Sequence, residues 1–264
     1  MIGSVRLVAL LGLAALATPA IAADVPPPVV KAPAAPAPVA TDGWTYTLAP
    51  YFWAAGMAGD VGQFGLPAVH VDADFSDIFD HLDFAAMVMG EARKDRFSVF
   101  GDILYVKLGA DVTAPRRIPA DSVDITSTTF AGLAGVGYAL WDGPKGHLDV
   151  VGGVRAWHVS TDISFKGQAL DGRSGRDSAS WVDGLAGLRG RYELSDKLYL
   201  TGWGLVGAGG ADLDWDLGGG VGYTFNDRLS MVVGYRALGV DYEQDGFLFD
   251  VVEQGPIIGT VLKF

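Results

Sequence analysis

The chain has 264 residues, 37 of them Gly and none Cys, with 50% hydrophobic and 19% charged residues and a formal net charge of −12. The lack of Cys excludes disulfide frameworks, thiolate nucleophiles and Cys-ligated zinc, and the acid excess argues against nucleic acid as a partner. Mean hydropathy is high at +0.27, yet past the N-terminus no apolar run approaches the roughly 18 residues of a membrane helix. That combination excludes a helical membrane protein and argues against intrinsic disorder, leaving a large β core or a transmembrane β-barrel.

Residues 1–23 read as a secretory signal peptide, with Arg6 as the basic start and Leu7 to Ala17 as an apolar stretch too short to span. Ala20-Ile21-Ala22 supplies the small–x–small cleavage pattern, so residues 1–22 or 1–23 would be removed. Residues 24–43 are a Pro/Ala-rich segment whose composition favours extended polyproline II, and they are expected to be a periplasmic leader.

From Trp44 to Phe264 the pattern becomes period-2 alternation broken by turn chemistry. One exception is Ser76–Leu82, where Ser76 is placed to cap a single helical turn. Strands are expected near 44–55, 83–93, 96–108, 122–141, 146–161, 178–193, 198–208, 214–225, 228–242 and 250–264. The turns near 94–96, 142–145, 194–197 and 226–228 are short and charged, whereas the links 56–82, 109–122, 162–177, 208–213 and 243–249 are longer. Short turns on one side and long loops on the other describe an antiparallel up-and-down outer-membrane barrel. The fold class is therefore all-β, a transmembrane barrel of about ten strands, with eight to twelve as the range. Within the first link, Asp60–Gln63 and Val69–Phe75 are able to form an extra hairpin.

Alternation assigns each face. Leu229, Met231, Val233 and Tyr235 share one side of their strand, against Arg228, Ser230 and Arg236; the same split recurs in Val182, Ala186 and Leu188 against Asp183, Arg189 and Arg191. The predicted lumen collects Glu91, Asp102, Asp149, Asp183, Asp214, Asp216 and Glu253, faced by Arg93, Arg155, Arg189, Arg191 and Arg236. A soluble β-sandwich would also alternate, but its wet face would gather Lys, Glu and Ser. Arg instead forms bidentate pairs with carboxylates, and buried charges persist only when paired. Tyr46, Tyr105, Tyr138, Tyr192, Tyr223 and Tyr235 sit near strand ends, where interfacial aromatic girdles belong.

The end Gly259-Thr260-Val261-Leu262-Lys263-Phe264 resembles the C-terminal signal read by the barrel assembly machinery, carried by Gly259, Leu262 and Phe264. With the signal peptide and hairpin rhythm, the chain resembles small Gram-negative outer-membrane barrels. The stretch Ala23-Asp24-Val25-Pro26 and its Pro/Ala tract look like alphaproteobacterial surface-antigen barrels. Ala49-Pro50-Tyr51-Phe52-Trp53 and Phe75-Ser76-Asp77-Ile78-Phe79-Asp80 resemble segments of an uncharacterised barrel family of similar length. None of these resemblances implies an activity.

Two constellations carry possible chemistry. His158 and Ser160 point to one side of a strand, as a base and its Ser nucleophile require, and the segment resembles the His-x-Ser of the outer-membrane lipid A 3-O-deacylase. The orienting Glu of that family falls here at Gly172, next to Asp171, and the pair has lipid-facing parity, so a polar pair near the rim is the preferred reading. His70, Asp72 and Asp74 share a face as weak metal-ligand candidates, with a solvated acidic loop preferred. Arg116-Arg117, Lys166, Arg173 and Arg176 are basic loop spots that suit lipopolysaccharide phosphates. Gly207–Gly210 and Gly218–Gly220 lack a following Lys-Ser/Thr, so no phosphate loop and no cofactor is expected.

The sequence thus favours a non-catalytic barrel in the cell outer membrane, with a charge-filled lumen and a structural or surface-exposed role. A narrow porin-like channel for small solutes and a lipid A-modifying hydrolase are the alternatives. Expected partners are outer-membrane lipid, lipopolysaccharide and the barrel assembly machinery.

Overall fold

A computed structural model describes residues 43–114 and 119–264. The expected signal peptide, the leader apart from Gly43, and Arg116-Arg117 lie outside the described residues. The elements are β1 (Thr45–Trp53), β2 (Gly56–Gly62), β3 (Val69–Ala73), α1 (Phe75–Asp80), β4 (Leu82–Lys94), β5 (Phe97–Thr113) and β6 (Ser122–Gly143). They are followed by β7 (Gly146–Lys166), β8 (Ser174–Glu193), β9 (Leu198–Gly209), β10 (Leu213–Asn226), β11 (Leu229–Gln244) and β12 (Phe247–Lys263).

Among the described residues, β1 and β4 to β12 pair antiparallel with their neighbours, and β1 pairs with β12, so ten strands close into a barrel. The closure runs from Thr47 opposite Lys263 to Trp53 opposite Ile257. The expected extra hairpin is present as β2 and β3, joined from Met57 opposite Ala73 to Val61 opposite Val69. It does not enter the ring. β2 prolongs β1 along the same partner, with Gly56 opposite Gln254 and Gly62 opposite Leu248. The change from β1 to β2 falls at Ala54-Ala55, opposite Pro256, which has no N–H to donate; the Ala54 N–H bonds the Pro256 carbonyl at 2.9 Å.

Three sequence expectations need correction. The helix α1 is capped by Asp74, whose carboxylate accepts the Asp77 N–H at 3.1 Å while the Asp77 carboxylate accepts the Asp74 N–H at 3.3 Å. Two acids, Asp74 and Asp77, make this reciprocal capping box. Ser76 instead donates to Asp74 at 2.6 Å. The link expected at 243–249 is a tight turn: Gln244 pairs with Phe247, and Asp245 and Gly246 have φ of 53° and 82°. Two successive positive φ values match the twist of a hairpin, and Asp-Gly supplies them cheaply. The link expected at 208–213 shrinks to Gly210–Asp212 between β9 and β10. Elsewhere the strands absorb the loops, because β6, β7 and β8 have 22, 21 and 20 residues. A tilted membrane strand needs only about 9 to 11.

Outward positions form an apolar belt that includes Ile103, Val136, Leu140, Val150, Val154, Val182, Leu188, Leu217 and Val233. Its lower edge carries paired aromatic rings: Phe97 with Tyr138 at 5.1 Å, Trp141 with Tyr192 at 6.2 Å, and Tyr223 with Phe225 at 5.1 Å. These pairs ring the rim that holds the turns after β4, β6, β8 and β10, here the near rim. Phe264 sits at the same rim, its N–H bonded to the Tyr46 carbonyl at 2.9 Å. The turns after β5, β7, β9 and β11 mark the far rim.

Candidate functional site

Inward side chains are arranged in three layers from the near rim to the far rim. In the near layer Arg93 pairs with Glu91 at 3.0 Å and with Asp149, and Arg189 reaches Glu91 at 3.2 Å. Strand pleating places these groups on one side at i, i+2 spacing, as with Glu91 and Arg93 on β4. Arg189 also lies 4.5 Å from the Phe100 ring, and Arg191 lies 3.3 Å from the Tyr199 ring while pairing with Glu193 at 2.7 Å. Glu91, His147, Arg189, Arg191 and Tyr199 line a recess of about 170 Å³, together with apolar Met89, Val232 and Ile257.

The middle layer closes the barrel. Arg155 of β7 reaches across to β10, with one guanidinium nitrogen 2.5 Å from Asp214 and the other 2.6 Å from Asp216. Arg236 of β11 bonds Asp216 at 2.7 Å and Asp102 at 2.8 Å. Tyr51 donates to Asp102 at 2.9 Å and accepts from Arg236 at 2.7 Å. Trp157 donates to Asp214 at 2.9 Å, and Trp203 donates to Asp216 at 2.7 Å. Asp183 accepts the Ala211 N–H at 2.8 Å. Arg155, Arg236 and Asp216 are each 1% exposed and Asp214 is 0% exposed, so solvent does not reach the charged groups of this layer. Small residues on β10 make the crossing possible. Trp203 lies over Gly218 and Tyr199 lies over Gly222, where a Cβ would overlap either ring.

The far layer is apolar. Trp181 stacks on Tyr242 at 4.0 Å and on Trp157 at 5.7 Å, with Phe249 at 6.4 Å. Leu104, Val159, Leu238, Val240 and Val251 complete the cluster. Beside it a second recess of about 240 Å³ is lined by Trp53, Met87, Leu104, Val159 and Phe249, with Glu253 in its wall. Among the described residues Glu253 forms none of the ion pairs that join Asp102, Asp149, Asp214 and Asp216 to Arg.

The remaining candidates separate. His158 faces outward and its Nδ1 lies 2.7 Å from the Ser180 Oγ, one strand over, while Ser160 is buried and lies opposite Thr128 and Ser178. Asp171 accepts the Gly167 N–H at 2.8 Å in the turn after β7 and does not orient His158. His70 pairs with Asp60 at 3.0 Å and Asp74 caps α1, so His70, Asp72 and Asp74 do not converge; among the described residues no cluster has metal-ligand geometry. At the far rim, beyond the apolar belt, Lys166 pairs with Asp124 at 2.5 Å and Arg176 with Asp162 at 2.6 Å, so both bases have internal partners. The Arg176 hydrogen bond, reinforced by its charge, holds the Asp162 carboxyl below its ordinary pKa. Gly259 and Leu262 pair with β11 and β1 at the closing seam, and Phe264 ends beside Tyr46.

Residues 83–245, more than half of the chain, match a family model described as protein of unknown function, DUF481. The chain belongs to that family. No curated protein matches it. Among solved structures, this DUF481 member is similar to the outer-membrane protease OmpT from Escherichia coli, at 11% identity and a TM-score of 0.49 over 84% of this chain and 97% of that one. The translocator domain of the autotransporter NalP from Neisseria meningitidis is 16% identical at a TM-score of 0.49, over 85% of this chain and 89% of that one. The attachment invasion locus protein Ail of Yersinia pestis is 13% identical at a TM-score of 0.38, over 85% of this chain and 100% of that one. Identities this low carry no statement about activity.

Several residues of the lumen escaped the sequence reading: Tyr51, His147, Trp157, Glu193, Tyr199 and Trp203. The signal was parity. Trp157 is two residues past Arg155, and Glu193 two past Arg191, so each inherits the inward face of an Arg already placed there.

Proposed function

We propose that this protein is a non-catalytic barrel of the cell outer membrane, sealed to solutes at mid-height, with a structural or surface-exposed role. The observation that carries the reading is the middle layer: Arg155 and Arg236 span the lumen to Asp214, Asp216 and Asp102 and are buried. A channel would need water along that line, and a hydrated Arg–carboxylate pair is not nine-tenths or more buried. The outward apolar belt with its aromatic rim supports membrane insertion, since a soluble monomer rarely exposes apolar patches beyond a few hundred Å². The same belt supports lipid and lipopolysaccharide as its surroundings, and the C-terminal Gly259, Leu262 and Phe264 support assembly by the barrel machinery. A hydrolase at His158 and Ser160 has less support, because His158 engages Ser180 and Asp171 is committed to its own turn.

The strands β6 to β8 exceed a membrane span, which supports a far rim that projects from the cell surface. An epitope tag inserted at Gly65, in the link between β2 and β3, tests this directly. Antibody binding to intact cells and heat-modifiable migration of the outer-membrane fraction are the expected results. Labelling only after the cells are opened would refute a surface-exposed far rim.

A further inference from the structure

The barrel wall has a seam. β4 pairs with β1 only from Thr45 opposite Arg93 to Pro50 opposite Val88. Farther up, Leu82 to Met87 keep their ladder to β5 but have no strand partner on the other side among the described residues. Pro50 explains the stop, since it has no N–H with which to extend a ladder. β2 then turns away to pair with β3. Across the resulting gap lies α1, whose Phe75 packs edge-on against the outward Phe52 at 5.8 Å and against Phe79 at 5.5 Å. Phe52, Phe79 and Phe84 are all more than a third exposed and flank the gap on its outer side.

Behind α1 the gap leads into the far recess of about 240 Å³, whose lining runs without a break from outward Phe52 and Phe79 to inward Trp53, Met87 and Leu104. An apolar cavity of about 150 Å³ is large enough to take up benzene, so this one accommodates a longer hydrocarbon. Its floor is the middle layer, where Trp53 lies 5.2 Å from the Arg236 guanidinium. The carboxylate of Glu253 is the acidic group in the wall, and it has no hydrogen-bond partner among the described residues. A mostly apolar recess with one carboxylate and a few hydroxyls, those of Ser127, Thr129 and Thr161, is the chemistry of a site for a small amphiphile.

We propose that the far recess binds a single-chain amphiphile whose head donates a hydrogen bond, an alkyl amine or alcohol, drawn sideways from the surrounding lipid through the β1–β4 seam. The alkyl chain fills the space behind Phe75 and Phe79, and the head reaches Glu253. This rests on the membrane reading above. The site needs no path through the barrel, because its entrance is lateral and its floor is closed.

The test uses the full barrel, refolded in detergent, titrated with 1-aminoanthracene, an apolar amine whose fluorescence rises in an apolar site. The expected result is a saturable rise, displaced by dodecylamine and 1-dodecanol but about tenfold less well by dodecanoate, which has the same chain length and an anionic head. Ala85→Trp fills the recess and Val71→Trp narrows it from the hairpin side; each is expected to abolish the saturable part. Glu253→Leu is expected to weaken dodecylamine about tenfold, the loss of one hydrogen bond to a charged group. A folded, heat-modifiable wild type with no saturable rise would overturn the site alone. So would a rise that survives in both folded Trp variants. A wild type that is not heat-modifiable and not recovered in the outer membrane would overturn the membrane reading itself, and the site with it.

Discussion

The near and far halves of the lumen are built from the same strands and solve opposite problems. Below the middle layer, the inward positions of β4, β7 and β8 carry Glu91, Arg93, Asp149, Arg189 and Arg191, each with a charged partner. Above it, the inward positions of β5, β7, β8 and β11 carry Leu104, Val159, Trp181, Leu238 and Tyr242. On β7 the change takes two residues, from Arg155 to Trp157. The lower half combines Arg–carboxylate pairs, which add geometric specificity, with an apolar cluster of Phe100, Leu133, Val151, Leu185 and Leu205. The upper half is held by area and stacking, which tolerate exchange of one apolar group for another. A charged layer in the middle therefore fixes the shear of the barrel, and the apolar half is free to hold a recess.

The sharpest way to break this contrast is Arg236→Ala. It leaves Asp102 and Asp216 buried beside one another with a single remaining Arg, and stranded buried charge costs about 3–5 kcal/mol. The heat-modifiability midpoint should fall by far more than for Arg93→Ala at the wetter near rim. In the far half, Leu104→Ala should cost about 2–5 kcal/mol, as a cavity-forming truncation, while Leu104→Met should cost less than about 1.5. If Leu104→Met were as damaging as Leu104→Ala, the tolerance assigned to the apolar half would be wrong. Gly222→Ala tests the support of the polar half, because its new methyl meets the Tyr199 ring; overpacking of this kind costs about 1–3 kcal/mol. Circular dichroism melting in detergent reads each change.

The smallest effect is at the far rim. The Asp162 pKa is lowered when folded, so the Asp162–Arg176 contribution is fully present above the ordinary carboxylate value near pH 4 and fades as pH falls through the lowered folded value. Amide protection in the upper ends of β7 and β8, with exchange corrected for its intrinsic pH dependence, should therefore fall only below about pH 4. The Arg176→Ala protein should lose that pH step, with global melting unchanged, because both groups are exposed.

Much of the barrel was legible from alternation alone. Period 2 fixes which side chains share a face, and charges on the inward face of β7, β8, β10 and β11 were assignable without knowing what they touched. Parity does not reveal which strands meet across the lumen, so the Arg155 bridge to Asp214 and Asp216, 59 and 61 positions along the chain, was beyond reach. The far apolar layer was hidden for a related reason: where both faces of a strand are apolar, as from Leu238 to Val240, alternation carries no inward signal. The seam was legible only in part. Pro50 was visible in the sequence, but its effect depends on β3 turning back along β2, which the spacing left as an option. The helix cap is not legible at Ser76, because two acids at Asp74 and Asp77 make a capping box of a less common composition.

Single-channel recording of the refolded protein in a planar bilayer tests the central claim, that the middle layer seals the lumen. With insertion confirmed by heat-modifiable protein recovered from the bilayer lipid, the expected result is a silent membrane. Discrete, reproducible conductance steps, changed in ion selectivity by Arg155→Ala, would place water along the Arg155–Arg236 line and contradict it.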